Sequence, residues 1–330
     1  MLFTEAGLEQ ATHLKVAALH AGRFASAGLH RVADLGCGIG GDAMAMAALD
    51  LAVTAVDSDE VAAALASFNL APFPHVRVAH DDAESMNLQE YDAIFLDPAR
   101  RTAGHNGTRR LTSASEYSPS LEFAFGLADR LPVGVKLGPG LDRGLIPDSA
   151  EAQWICVDGQ VVETGLWFGS LARPGVKRAA LVLNSRGLNN SGAAELTAAF
   201  DSADAETGPL GQYLYEPNGA VIRARLIGDL ARSLQARMVS DSIAYLTSDN
   251  PVDSPFAVGF RVLESFPLDE RMLKKELRTR DVGVLEVKKR GVDVDPAAFR
   301  HRMSPRGQAS ATLVLTRVAG RHAALLVERL

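Results

Sequence analysis

Residues 32–42 read Val-Ala-Asp34-Leu-Gly36-Cys-Gly38-Ile-Gly40-Gly41-Asp42. An apolar run ends in an acid, passes through four glycines and enters a segment rich in Ala and Met. Such a strand–loop–helix lets backbone approach a bound group with no Cβ in the way. Gly36-x-Gly38-x-x-Gly41 by itself also satisfies the pattern that cradles a dinucleotide pyrophosphate at a helix N-terminus. The acids around the glycines must therefore decide the ligand.

Working outward, short apolar runs alternate with helical stretches from about 31 to 137: Arg31–Leu35, Leu51–Val56, Val76–His80, Ala93–Leu96 and Val133–Leu137. That alternation predicts a parallel sheet with helices on both faces, which binds ligands beyond the carboxyl ends of its strands. Acids stand there after the first four runs: Asp34, Asp57, Asp82 and Asp97. Before the sheet, residues 4–24 read as one helix. After it, Gln153–Val157 and Val161–Phe168 around Asp158-Gly159 read as a hairpin, and Lys177–Leu183 as a further strand. Residues 184–212, rich in Asn, Ser, Gly, Ala and Asp, read as a boundary. Asn218 caps a helix expected to reach about 237. From 256 the pattern is strand (257–263), helix (268–278), strand (282–287), helix (296–303) and a final hairpin through Gly320-Arg321.

A chain of 330 residues accommodates about two domains. No window has the run of about 20 apolar residues that spans a bilayer, and Met-Leu-Phe-Thr-Glu-Ala-Gly is no signal peptide, so a soluble cytoplasmic protein without a membrane partner is expected. The two cysteines, Cys37 and Cys156, lie far apart and in no metal-ligand spacing, and the eight histidines form no metal pattern, so no metal is expected. Charge is uneven. From residue 251 on there are 15 Lys and Arg against 10 Asp and Glu, and before it 19 against 30. A basic tail on an acidic body suits a polyanionic partner.

An acid two residues before the first glycine does nothing for a pyrophosphate. S-adenosylmethionine offers an ammonium, a sulfonium, a ribose diol and an adenine amine, all served by carboxylates. Asp34 with the loop Gly36, Gly38 and Gly40 suits its amino-acid end, Asp57 the ribose hydroxyls, and Asp82-Ala83 the adenine edge.

These stretches, with Phe95-Leu-Asp97-Pro98-Ala99-Arg100, resemble motifs I to IV of class I S-adenosylmethionine-dependent methyltransferases over about residues 30–185. The resemblance implies a Rossmann-like α/β sheet, parallel with an antiparallel last strand. It also implies that Asp97 and the Pro98 carbonyl hold the acceptor, where amino-methyltransferases of this class carry Asp/Asn-Pro-Pro-aromatic. Positioning then supplies most of the catalysis. Ala99 and Arg100 depart from that pattern and speak against methylation of a base amine. A uridine-C5 reading fails because neither cysteine is placed as a nucleophile. Arg100, Arg101, Arg109 and Arg110 are candidate phosphate contacts, Tyr117 a candidate stacking aromatic, and Lys136 a candidate substrate contact. His105 reads as a loop residue.

Tyr213–Ala224, Ile243–Asp249, Val284–Gly291 and Thr312–Arg317 resemble a bacterial, often actinobacterial, methyltransferase family with a C-terminal THUMP-like domain. This implies RNA as substrate, and Lys288, Lys289 and Arg290, with Lys274, Lys275, Arg278 and Arg280, are the bases that would follow its phosphates. The expected organisation is a helical segment at 1–30, the methyltransferase domain at 31–185, a linker and helical connector at 186–250, and the THUMP-like domain at 251–330. Two alternatives remain: the same chemistry on a protein or small molecule with a structural tail, and a non-catalytic scaffold that binds the cofactor or RNA.

Overall fold

A computed structural model describes residues 1–100, 117–184 and 192–330. They form two compact units, Met1–Ile155 with Val161–Ala179, and Cys156–Gln160 with Ala180–Leu330.

The first unit starts with two helices, Glu5–Gln10 (α1) and Leu14–Ser26 (α2), where the sequence suggested one. Ala11 is extended at φ −62°, ψ 138°, and the His13 ring accepts the Lys15 N–H as a new cap, so Thr12 falls in the break. Leu14–Ser26 buries Val16, Ala17, His20, Ala21 and Phe24, a stripe at helical spacing.

The expected alternation then unfolds: Arg31–Leu35 (β1), Gly41–Ala47 (α3), Ala52–Asp57 (β2), Glu60–Leu70 (α4), Val76–His80 (β3), Ala93–Leu96 (β4), Leu121–Leu127 (α5) and Val133–Leu137 (β5). The β1, β2, β3, β4 and β5 strands pair in parallel in the order β5-β4-β1-β2-β3. Gln160–Trp167 (β7) runs antiparallel beside β5, between it and Glu151–Val157 (β6). This is the parallel sheet with one antiparallel strand that the resemblance implied. Strands buried on both faces lose their alternation, and Ala93–Leu96 is buried at every position. Phe24, Val32, Met46, Val53, Phe95 and Trp167 share one side of the core. The order puts the carboxyl ends of β1, β4 and β5 side by side, with β2 and β3 flanking them.

Arg178–Leu183 (β8) leads into the second unit, followed by Ala193–Ala198 (β9), Tyr213–Pro217 (β10), Gly219–Arg223 (α6), Ile227–Ser233 (α7), Leu246–Ser248 (β11), Ala257–Pro267 (β12), Glu270–Thr279 (α8), Val282–Lys289 (β13), Pro296–Met303 (α9), Ala309–Val318 (β14) and Arg321–Arg329 (β15). Its sheet runs β11-β10-β12-β15-β14-β13, antiparallel except for the β13–β14 pair. Alternation along β14 sends Leu313 and Leu315 towards α8 and α9, beside Leu273, Leu277 and Phe299, and Val314 to the opposite face with Leu214, Tyr245 and Phe260.

Two expectations change here. Within the stretch 186–250, expected as a linker and connector, β10 is an interior strand of this sheet, because Leu214 and Tyr215 are core residues. The helix after Asn218 is split in two, since Arg225 takes a left-handed φ of 60° and ends the first turn. Among the described residues no helix is long and apolar enough to cross a membrane.

Candidate active site

The glycine loop is shaped by local backbone need. Gly36 and Gly38 sit at φ +83° and +55°, where a side chain is strained. A Cβ on Gly36 would stand 2.8 Å from the Asp97 carbonyl oxygen, whereas one on Gly38 would face open space. Gly36 therefore lets β1 and β4 close up, and Gly38 presents bare backbone to whatever lies before it. Gly40 caps α3 in the left-handed region.

Asp57 braces this loop. Its Oδ2 accepts the Gly38 N–H at 2.8 Å and its Oδ1 the Asp59 N–H at 2.9 Å. Asp82 is exposed at the tip of β3 and accepts the Glu84 N–H at 3.0 Å, and Ala83 beside it is buried.

Asp34 is different in kind. It is 1% exposed, and neither carboxylate oxygen has a hydrogen-bond partner among the described residues. Burial, with the carboxylates of Asp42 and Asp97, holds its pKa well above the usual range, against the pull of Lys136. A buried acid without a donor calls for a cation or donor from outside the chain. Together with the bare backbone at Gly38, this fits the ammonium end of S-adenosylmethionine.

Beyond Asp34 a chain of polar side chains crosses the unit. Lys136 Nζ donates to Asp97 Oδ2 and, at 2.8 Å, to the Thr12 hydroxyl, which in turn donates to Asp42. The other oxygen of Asp42 meets His20 Nδ1 at 2.8 Å, and His20 Nε2 meets Glu163 at 2.8 Å. Burial pulls the His20 pKa down, but Glu163 and Asp42 outweigh it and lift it to about 10, so the ring is an imidazolium at neutral pH. Burial drives Asp42 up, yet the His20 hydrogen bond wins and holds it below the carboxylate range. For Asp97 burial prevails over Lys136 and pushes its pKa up to about 6. Lys136 is buried as well, but Asp97, Asp42 and Glu163 keep it an ammonium.

Sequence reasoning placed Asp97 and Lys136 in the site and missed Thr12, His20, Asp42 and Glu163 as its support. The available signal was His20, a polar residue within the apolar stripe of α2. Cys37 stands in the loop with its thiol pKa far above the usual range through burial, Asp34 and Asp57, so it supplies no thiolate.

Other candidates are placed differently. Pro98 is buried directly after Asp97. Tyr117 is only 3% exposed, its backbone paired with Arg100, so its ring packs inward and presents no stacking face. Of Arg100 only the backbone is described, and Arg101, His105, Arg109 and Arg110 lie outside the described residues. In the second unit Lys288, Lys289 and Arg290 do not make one basic face. Neighbours along a strand point to opposite sides: Lys288 pairs with Glu216 at 2.8 Å, Lys289 is exposed, and the Arg290 guanidinium lies 5.3 Å over the Tyr245 ring. Nearby, Arg280 is paired with Glu264 and Glu276, while Lys275 and Arg278 are exposed.

Comparison with known proteins gives a consistent picture. Residues 32–105 match a profile described as a methyltransferase domain, and residues 257–329 one described as THUMP domain-like. Proteins from two strains of Mycobacterium tuberculosis, both described as uncharacterized S-adenosylmethionine-dependent methyltransferases, are 33% identical over 321 residues, covering 96% of this chain and 85% of theirs. A crystal structure from Porphyromonas gingivalis W83, assigned as a methyltransferase, superposes with a TM-score of 0.76 at 20% identity, over 99% of this chain and 82% of that one, and so shares the fold.

Proposed function

The chain belongs to the S-adenosylmethionine-dependent methyltransferases, and from that premise we propose that it methylates RNA. The observation that carries this reading is the second unit: its THUMP-like sheet and helices expose Lys275, Arg278 and Lys289, and Arg300, His301 and Arg306 line a groove at the end of α9, on a chain otherwise acidic. Surface bases of this kind, which no described residue pairs, exchange counterions for phosphates, which makes binding steeply dependent on salt.

In this reading the donor side is held by Asp34, Gly36, Gly38, Gly40, Asp57, Asp82 and Ala83. S-adenosylmethionine supplies, when bound, a methyl group on a sulfonium, ready for in-line displacement. Asp34 meets the cofactor's ammonium. Asp57 keeps the loop in shape through Gly38 and turns its remaining lone pairs to the ribose. Asp82 and Ala83 flank the adenine edge. Asp97 and the Pro98 carbonyl position the acceptor, so that orientation rather than a strong base carries most of the rate. Within the run Lys288-Lys289-Arg290, Lys289 carries the charge that no described residue engages; Lys288 is engaged by Glu216.

Calorimetry and RNA binding test the two halves separately. Asp57→Ala is expected to weaken S-adenosylmethionine binding by about tenfold or more, the equivalent of one charge-assisted hydrogen bond; unchanged affinity would remove Asp57 from the site. For RNA, Lys289→Glu is expected to lower the slope of log affinity against log salt by about one or more, with a smaller change for Lys288→Glu. Binding indifferent to salt in the wild type would exclude RNA as the partner of this unit. Nucleoside mass spectrometry of RNA from a deletion strain should then lack one methylated species.

A further inference from the structure

We propose that the methyl acceptor is a hydroxyl oxygen rather than an amine, gripped by Asp97 and Lys136 together; on RNA, and here the inference rests on the reading above, this is the ribose 2′-hydroxyl.

The ground for this is donor and acceptor complementarity. Asp97 follows β4 and Lys136 lies one residue from the end of the adjacent β5, so both side chains reach the carboxyl edge of the sheet. The Lys136 ammonium has three N–H donors. Asp97 Oδ2 and the Thr12 hydroxyl take two of them, and no described residue takes the third. Asp97 Oδ1 accepts from no described residue, and the Asp97 side chain is 32% exposed, open to a ligand. The pair thus offers an acceptor and a donor side by side.

A hydroxyl matches that pair: its O–H points to Asp97 Oδ1, one lone pair receives the Lys136 N–H, and the second lone pair faces the methyl group. A base amine matches it poorly. It presents N–H donors only, needs two acceptors, and has a single lone pair, for which the ammonium would compete with the methyl group. Thr12 fixes which way the ammonium points, because its hydroxyl accepts from Lys136 while donating to Asp42, itself anchored by His20 and Glu163. Thr12 is a positioning residue in this scheme. The aromatic that would stack on an extruded base is missing too: Ala99 and Arg100 stand after Pro98, and the Tyr117 ring is buried.

The step balances without a further reactant. The hydroxyl oxygen gives an electron pair to the methyl carbon, the C–S bond breaks with its pair returning to sulfur as a neutral thioether, and the O–H proton passes to the Asp97 carboxylate and on to water. Lys136 keeps its proton throughout and steadies the charge on oxygen as the O–H bond weakens. With its pKa about 6, Asp97 is ionised at neutral pH and able to receive the proton.

The test uses the full chain, S-adenosylmethionine carrying a ¹³C methyl, and the total RNA and protein fractions of a deletion strain. The expected product shows an O-methyl carbon resonance, and the label survives alkaline hydrolysis of RNA in dinucleotides, since a 2′-O-methyl group blocks cleavage of the next phosphodiester. An N-methyl or C-methyl resonance in any fraction overturns the oxygen assignment. Label confined to protein would overturn the RNA reading alone, and the resonance type would still decide for or against oxygen. Lys136→Met is expected to lower kcat by about 10²-fold with KM little changed, Lys136→Arg to restore part of it, and S-adenosylmethionine affinity to show that the site is formed. Full activity in Lys136→Met would overturn the role of the pair.

Discussion

The two units treat charge in opposite ways. In the first, His20, Asp42 and Glu163 meet in the interior with side-chain exposures of 2%, 8% and 6%. In the second, Arg261 and Glu328 pair with 55% and 57% of their side chains exposed, and Arg302 and Glu270 are nearly as open. Taking an ion out of water costs several kcal/mol, and only a complete set of partners offsets it. A solvated pair costs little and contributes little. A buried ionic chain is therefore a poor device for stability and a good one for holding a side chain in one orientation. It ends at Lys136 and Asp97, the pair proposed above to grip the acceptor.

The sharpest way to break this comparison is to remove the middle of the buried chain. His20→Ala leaves Asp42 and Glu163 buried without their shared partner, and is expected to destabilise the first unit by about 3–5 kcal/mol in urea unfolding. A loss below about 1 kcal/mol would mean that water reaches these acids and the interior chain is no chain at all.

An effect of comparable size, spread over several pH units, comes from pH. The folded His20 pKa, about 10, lies above its ordinary 6.5, so the folded state binds the proton more tightly than the unfolded one. The stabilisation is fully present below about pH 6.5 and is lost as pH rises through 10, at no more than about 1.4 kcal/mol per pH unit for one proton. Unfolding free energies measured from pH 6 to 10.5 should fall along that slope in the wild type, while in His20→Gln this component should vanish. A neutral His20 ring by NMR at pH 8 would contradict the assignment.

At the other end of the scale, Glu328→Gln opens an exposed pair in the second unit. It should shift stability by less than about 0.5 kcal/mol. A cost above 1 kcal/mol by the same urea measurement would erase the contrast between the units.

The candidate donor side was legible because it is built from short-range patterns. Asp34 and the glycines lie within eight residues, and Asp57, Asp82 and Asp97 each follow an apolar run whose end marks the edge of a parallel sheet. Even there, Asp57 serves the loop backbone, which only the fold reveals. The tail unit was legible in its order of strands and helices, but residues 186–250 read as a linker and connector. Their many small and polar residues conceal β10, which depends on strands far along the chain for its pairing. The run Lys288-Lys289-Arg290 looked like one basic surface, yet strand alternation and the partners Glu216 and Tyr245 divide it.

What the sequence determined by itself is the sheet with its acid-tipped strands and, through them, the methyl donor. Periodicity and backbone freedom act over a few residues, and a few residues suffice to display them. The tertiary structure alone decided the chain from Glu163 through His20, Asp42, Thr12 and Lys136 to Asp97. Its members come from α2, the turn before it, α3, β5, β7 and the end of β4, up to 151 residues apart. Each is an ordinary polar residue until the fold brings the others within hydrogen-bond reach, partly or wholly out of water.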